Sequence, residues 1–263
     1  PNNPDIVAAT IIDGEGVSRG IVCDSGETSK TIVEGFTITG GYSDSGGGMY
    51  NYRSYSTITN CTFTNNTADR GKGGGMYNNF SSSPTVTNCT FSGNTANYGG
   101  GMYNDGSSPA VSNCILWGDS PDEIYTTSSS TLTVSFSDVQ GGLPANTVDV
   151  GGNIAVDPLF VDANGSDNIT GTEDDNLRLS SGSPCIDAGF FLSVPFDLDG
   201  NFRPVDDPAT VDTGVGLPDV VDMGAYEFGS LPPACILPGD INCDGIVNLL
   251  DLSLLALHWL ETI

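Results

Sequence analysis

The sequence predicts an all-β chain wound as a parallel β-helix, a solenoid, with a short C-terminal EF-hand-like calcium loop and helix; three observations predict it. The hexapeptide GGGMYN occurs at 46–51, 73–78 and 99–104. Between and after those copies run TITNCTF from Thr57, TVTNCTF from Thr85 and the degenerate AVSNCIL from Ala110. Near the end, DINCDGIVNLLD from Asp240 precedes a strongly apolar stretch. The GGGMYN copies are offset by 27 and 26 residues. Short β-branched runs at that period, punctuated by Gly, Asn and Ser, suit one coil of a β-solenoid.

Stacked coils place equivalent residues in rows. Asn60, Asn88 and Asn113 are therefore expected as a ladder at a bend, since Asn tolerates left-handed backbone angles and its amide can bond the next Asn. Cys61, Cys89 and Cys114 should point inward, with Phe63, Phe91 and Leu116 two residues on filling the same face. The Tyr50, Tyr77 and Tyr103 row has two readings: outward, it forms a strip on which sugar rings stack; inward, it forms a core ladder beside the Met row, and the habit of aromatics inside solenoids favours the core. Weaker strand runs at 9–14, 32–40, 132–139 and 156–161 extend the array to seven coils. The chain divides into β-helix repeats over 1–160, an acidic terminal or capping region over 161–230, and the calcium loop with its helix over 231–263.

Charge separates these parts. The chain carries 33 acidic and 7 basic residues, a formal charge of -26. Residues 119–263 hold 24 of the acids and only 2 of the bases. Such a surface repels a phosphate backbone, which excludes nucleic acid as a partner. Dense carboxylates without basic neighbours favour hard, oxygen-liganded cations. No segment is apolar enough to span a bilayer, because Asn248, Asp251, Ser253, His258 and Glu261 interrupt the apolar tail. Of the seven Cys, three belong to the repeat row, and Cys235 with Cys243 is the better candidate for a disulfide.

Thr31 to Gly40 (TIVEGFTITG), the GGGMYN copies and the TNCTF copies resemble right-handed parallel β-helix repeats of the pectate-lyase superfold. Further on, DPLFVDANG from Asp157, SPCIDAG from Ser183, DLDGNFRP from Asp197 and VDMGAYE from Val221 resemble β-helix proteins with a choice-of-anchor Q domain. That resemblance implies an extracellular or bacterial cell-surface location and no particular reaction.

Calcium is the cofactor the residues point to. In the C-terminal loop, Asp240, Asn242 and Asp244 present oxygens on alternate residues, Gly245 permits the reversal, Ile246 offers its carbonyl, and Asn248 and Asp251 complete the sphere. Asp at the last position and the following NLLDLSLLALHWL make this loop similar to one type I dockerin repeat, of which a complete dockerin has two. A second candidate is Asp162, Asn164 and Asp167, followed by Glu173, Asp174 and Asp175. Asp197, Asp199 and Asn201 alternate around Gly200, yet the adjacent Arg203 favours a structural role.

Catalytic readings are weaker. The five basic residues of the repeat region form no cluster, and the GHG and RIK signatures of polygalacturonase-like β-helices are missing. The single His258 sits in the apolar tail, so no Ser, His and Asp triad is expected. The expected function is an exported, calcium-binding β-helix with a structural, adhesive or self-assembling role, its partner another copy or a surface protein reached through the C-terminal helix. That helix is apolar all round, and it could cap the first coil of a second copy to give a head-to-tail filament. The alternative is a secreted protein that binds or degrades polysaccharide, docked to a cohesin-like partner.

Overall fold

A computed structural model describes residues 10–229, apart from 171, 173, 193 and 217–219. Three parallel sheets wrap one core. Sheet 1 stacks Ile11–Asp13, Thr37–Thr39, Thr62–Thr64, Thr90–Ser92, Ile115–Leu116 and Asp138–Val139; sheet 2 stacks Ile21–Cys23, Met49–Tyr52, Met76–Asn79, Met102–Asp105 and Ile124–Thr126. Sheet 3 stacks Ile32–Glu34, Thr57–Thr59, Thr85–Thr87, Ala110–Ser112, Leu132–Ser135 and Thr147–Gly151. The five strands of sheet 2 mark about five turns, not seven. The discrepancy lies at the end of the array: the parallel pairing stops with the bridge from Asp138 to Ile154, and Phe160–Asp162 pairs antiparallel with Asn176–Leu179. The run at 156–161 is thus β-branched but leaves the solenoid. No helix occurs among the described residues.

Register is fixed by the repeats themselves. Met49, Met76 and Met102 align across sheet 2, and Ile58, Val86 and Val111 across sheet 3. The Cys61, Cys89 and Cys114 row is fully buried as unpaired thiols, and the rings of Phe63 and Phe91 stack at 4.6 Å with 3° between their planes. Asn60, Asn88 and Asn113 each adopt φ of +50°, as the corner between sheets 3 and 1 requires, and Asn113 Nδ2 donates to Asn88 Oδ1 at 3.1 Å.

Two further ladders run inside the coils. Asn51 Nδ2 donates to Asn78 Oδ1 and Asn78 Nδ2 to Asn104 Oδ1, both at 2.9 Å; Asn66 Nδ2 donates to Asn94 Oδ1 at 2.9 Å and Asn94 Nδ2 to Asp119 Oδ1 at 2.8 Å. Each satisfies buried amides that would otherwise cost about 1–3 kcal/mol apiece. The glycines of GGGMYN leave room for this stacking. Gly73 has φ of +66°, and a Cβ on Gly75 would lie 2.7 Å from the carbonyl oxygen of Gly101 in the next coil.

The chain after the solenoid runs back along its flank. Asn60 Nδ2 donates to the Phe196 carbonyl at 2.7 Å, Gly224 N to the Asn113 carbonyl at 2.8 Å, and Ala225 N to Thr90 Oγ1 at 3.1 Å. A second apolar cluster forms there from Ile115, Leu179, Cys185, Ile186, Ala188 and Met223. The segments SPCIDAG, DLDGNFRP and VDMGAYE meet in one buried polar network. Arg203 Nε donates to Glu227 Oε2 at 2.7 Å, with both side chains fully buried, and Asp187 N donates to Asp222 Oδ1 at 2.8 Å.

Candidate functional site

In the MYN strands of sheet 2, Met and Asn take the inward positions, so the Tyr between them faces out. Tyr50, Tyr77, Tyr103 and Tyr125 align in register on the outer face and belong to no core cluster. This corrects the inward placement expected, since the Met and Asn rows fill the strand's two inward sites, but the middle of the row is still buried, Tyr77 and Tyr103 being 7% and 5% exposed. The rings nevertheless cover one another. Centroids lie 5.6 Å apart from Tyr50 to Tyr77, 5.5 Å from Tyr77 to Tyr103 and 5.1 Å from Tyr103 to Tyr125, the last pair nearly parallel at 6°. Arg19 lies 4.8 Å over the Tyr50 ring, and Lys72 lies 4.8 Å over Tyr103 while its Nζ donates to Asp105 Oδ2 at 3.1 Å.

The row opens to solvent at Tyr125, 39% exposed, whose ring meets the edge of Tyr98, 52% exposed, at 5.4 Å. Tyr125 walls a hollow of about 670 Å³ with Asp122, Thr126, Thr127, Ser128 and Asn146. An adjoining hollow of about 480 Å³ shares Asp122, Ile124 and Pro144, and adds Asp119, Glu123 and Gln140. Aromatic faces beside convergent hydroxyl, amide and carboxylate groups make a surface suited to a polyhydroxylated ligand.

The Asp119 and Glu123 carboxyls form a buried pair on that wall. Asp119 ends the Asn66 and Asn94 ladder, accepting from Asn94 N at 2.7 Å as well as from its side chain. Glu123 Oε1 accepts from Gly118 N and Asp119 N, both at 3.1 Å. Asp119 Oδ2 is buried with no other donor, so the proton of Glu123 is the one available to it. Burial, with the Asp119 charge adding to it, pushes the Glu123 carboxyl far above the ordinary range. Hydrogen-bonded carboxyls leave no gap for a sugar and a water, which glycoside hydrolysis by two carboxylates needs at about 5 Å or more.

The expected metal ligands fare differently. Asp240, Asn242, Asp244, Ile246, Asn248 and Asp251 lie outside the described residues, as do Cys235 and Cys243. Asp162 closes the strand Phe160–Asp162, and Asn164 and Asp167 lie in the loop after it. There Asn164 Oδ1 accepts from Thr170 Oγ1 at 2.5 Å, and Asp167 Oδ1 accepts from Ile169 N at 2.8 Å and Thr172 Oγ1 at 3.3 Å. Asp174 anchors the same loop: its Oδ2 accepts from Ser166 N and Oγ at 2.6 Å, and donors from Ser166 and Thr172 hold its carboxyl well below the usual range. Around Gly200, Asp197 caps Asn201 N at 2.8 Å, and Asp199 pairs with Arg178 through Nε at 2.6 Å, while Arg203 serves Glu227 instead. Among the described residues, the acidic side chains whose oxygens converge are Asp187, Asp206 and Asp212. Neither this trio nor the Asp119 and Glu123 pair is marked by a metal-loop or catalytic motif in the sequence. A signal existed for Asp119, which follows Leu116 by the same three residues that separate Asn66 from Phe63 and Asn94 from Phe91.

Stacked parallel coils with in-register side-chain ladders define a β-solenoid. The chain belongs to the right-handed β-helix family, whose model, the right handed beta helix region, matches residues 5–156. No curated protein matches it significantly.

Proposed function

We propose that the protein is an exported, non-catalytic β-helix that acts as an adhesive surface component, holding an extended polysaccharide against the outer face of sheet 2. The observation that carries this reading is the tyrosine row, which ends in the exposed Tyr125 ring, in contact with the exposed Tyr98 and on the wall of a groove lined by hydroxyl, amide and carboxylate groups. Rings of this kind present apolar faces to sugar rings while neighbouring polar groups take up the hydroxyls. Export and surface attachment draw support from the resemblance to choice-of-anchor Q proteins, and the dockerin-like loop at 240–251 supplies a calcium-dependent means of attachment.

Affinity electrophoresis of the full chain through gels containing neutral or acidic polysaccharides tests this. Retardation by at least one polysaccharide, lost in Tyr98→Ala/Tyr125→Ala with the far-ultraviolet circular dichroism unchanged, is expected. Equal retardation of parent and variant, or release of reducing ends or unsaturated uronates, overturns the reading.

Self-assembly is a second reading. It is favoured by the first turn, where Ile11–Asp13, Ile21–Cys23 and Ile32–Glu34 each have a strand neighbour on one side only among the described residues. Head-to-tail stacking on that edge gives an open filament, and a monomer in light scattering at high concentration with calcium rules it out.

A further inference from the structure

We propose that Asp187, Asp206 and Asp212 bind a hard divalent cation of the calcium class, at a site distinct from the loop at 240–251 and from Asp162, Asn164 and Asp167. One carboxylate oxygen from each of the three lies within 4.8 Å of the others, a spacing that ligands of one ion share.

The arrangement is more than a cluster of surface acids, because Asp187 is fully buried and its Oδ1 has no hydrogen-bond partner among the described residues. A carboxylate oxygen removed from water without a donor is costly, and a cation is the partner that removes the cost. The rest of Asp187 is tied down. Its Oδ2 accepts from Asp207 N at 3.2 Å, and its carbonyl accepts from Thr213 N at 2.9 Å and Gly214 N at 3.0 Å. Those bonds fasten the segments carrying Asp206 and Asp212 onto Asp187, so the three carboxylates are held together although nothing basic compensates them. None of the ion pairs among the described residues includes any of the three, and Arg203 and Arg178 are engaged by Glu227 and Asp199.

Donor chemistry selects the ion. The set is all oxygen, with no imidazole, and the thiol of Cys185 is directed to Asp138 Oδ2 at 3.3 Å. That excludes a preference for zinc or copper and favours calcium or magnesium. Asp206 and Asp212 are exposed, which leaves positions for water and suits the six to eight oxygens and adaptable geometry of calcium. Burial, opposed by the Asp207 amide and reinforced by Asp206, Asp212 and Glu227, raises the Asp187 carboxyl to about 6. Bound calcium reverses that shift.

The full chain, stripped with EDTA and exchanged into chelator-free buffer, is titrated calorimetrically with calcium chloride and melted with and without calcium. The exposed pair is the safer target, so the variant is Asp206→Asn/Asp212→Asn, with Asp240→Ala as the control for the C-terminal loop. The double variant is expected to lose one equivalent of bound calcium and part of the calcium-dependent rise in Tm. Asp240→Ala is expected to lose only the separate contribution of the 240–251 loop and to keep the equivalent assigned to the three aspartates. A double variant that binds and melts with calcium as the parent does, or a parent without calcium-dependent heat or Tm shift, overturns the proposal.

Discussion

Asn113 and Phe190 exchange two hydrogen bonds: Asn113 Nδ2 donates to the Phe190 carbonyl at 2.7 Å, and Phe190 N donates to Asn113 Oδ1 at 2.8 Å. The side chain thereby imitates a strand partner at a corner where the backbone turns away. It joins the solenoid to the segment that lies along its flank.

Asn113→Ala removes both bonds, together with the one to Asn88, and leaves a part-buried Phe190 amide unpaired, with an expected loss of about 1–3 kcal/mol. Limited proteolysis is the second readout, because the 183–229 segment should be cut faster than the coils. Uniform cutting along the chain would contradict the anchoring role.

Phe91→Ala opens a cavity between Phe63 and Leu116 in the fully buried row of sheet 1. Truncations of that size cost about 3–5 kcal/mol. Urea melts should show the midpoint shift, and Phe91→Leu should recover most of it.

The Asp119 and Glu123 pair gives stability a pH dependence of definite sign. Glu123 has a folded pKa raised above its unfolded value, so between the two the folded state binds the extra proton. Its contribution is complete below the ordinary carboxyl range and is lost as pH rises through the raised value. Tm is expected to fall between about pH 5 and about pH 9 in chelator, and Glu123→Gln, whose amide also donates to Asp119, should flatten that slope. An unchanged slope in the variant would count against the shared proton.

Arg203→Met leaves Glu227 as an uncompensated charge in a site with no solvent, with an expected cost of about 3–5 kcal/mol. Arg203→Met/Glu227→Leu should be closer to the parent than the single variant. A double variant less stable than Arg203→Met would mean that the backbone donors around Glu227 outweigh the ion pair.

Much of the solenoid was legible because its rows are written in the sequence as repeats. Cys61, Cys89 and Cys114 and the three corner asparagines follow directly from period and alternation. The tyrosine row was misplaced by a general habit of solenoids, although alternation within MYN already reserved the inward sites for Met and Asn. The run at 156–161 has strand composition, and composition does not record which neighbour a strand finds. Asp187, Asp206 and Asp212 are separated by 19 and 6 residues and converge because backbone bonds from Asp207, Thr213 and Gly214 fold their segments onto Asp187. No local pattern carries that contact.

The Asn51, Asn78 and Asn104 ladder has a consequence for how such a chain can lengthen. Every rung offers one donor upward and one acceptor downward, so a coil copied and inserted between two rungs finds both needs already met. Duplication of the 26- or 27-residue unit is then nearly neutral for its neighbours, and the number of coils becomes a quantity that drift and recombination can change. Aspartate in place of asparagine ends that freedom. At Asp119 the Asn66 and Asn94 ladder meets a carboxylate with nothing to donate, and a further asparagine coil added there would inherit a broken chain of bonds. That ladder thus ends in one side-chain substitution, oxygen for nitrogen, while the coils run on without it through Asp138–Val139 and Thr147–Gly151.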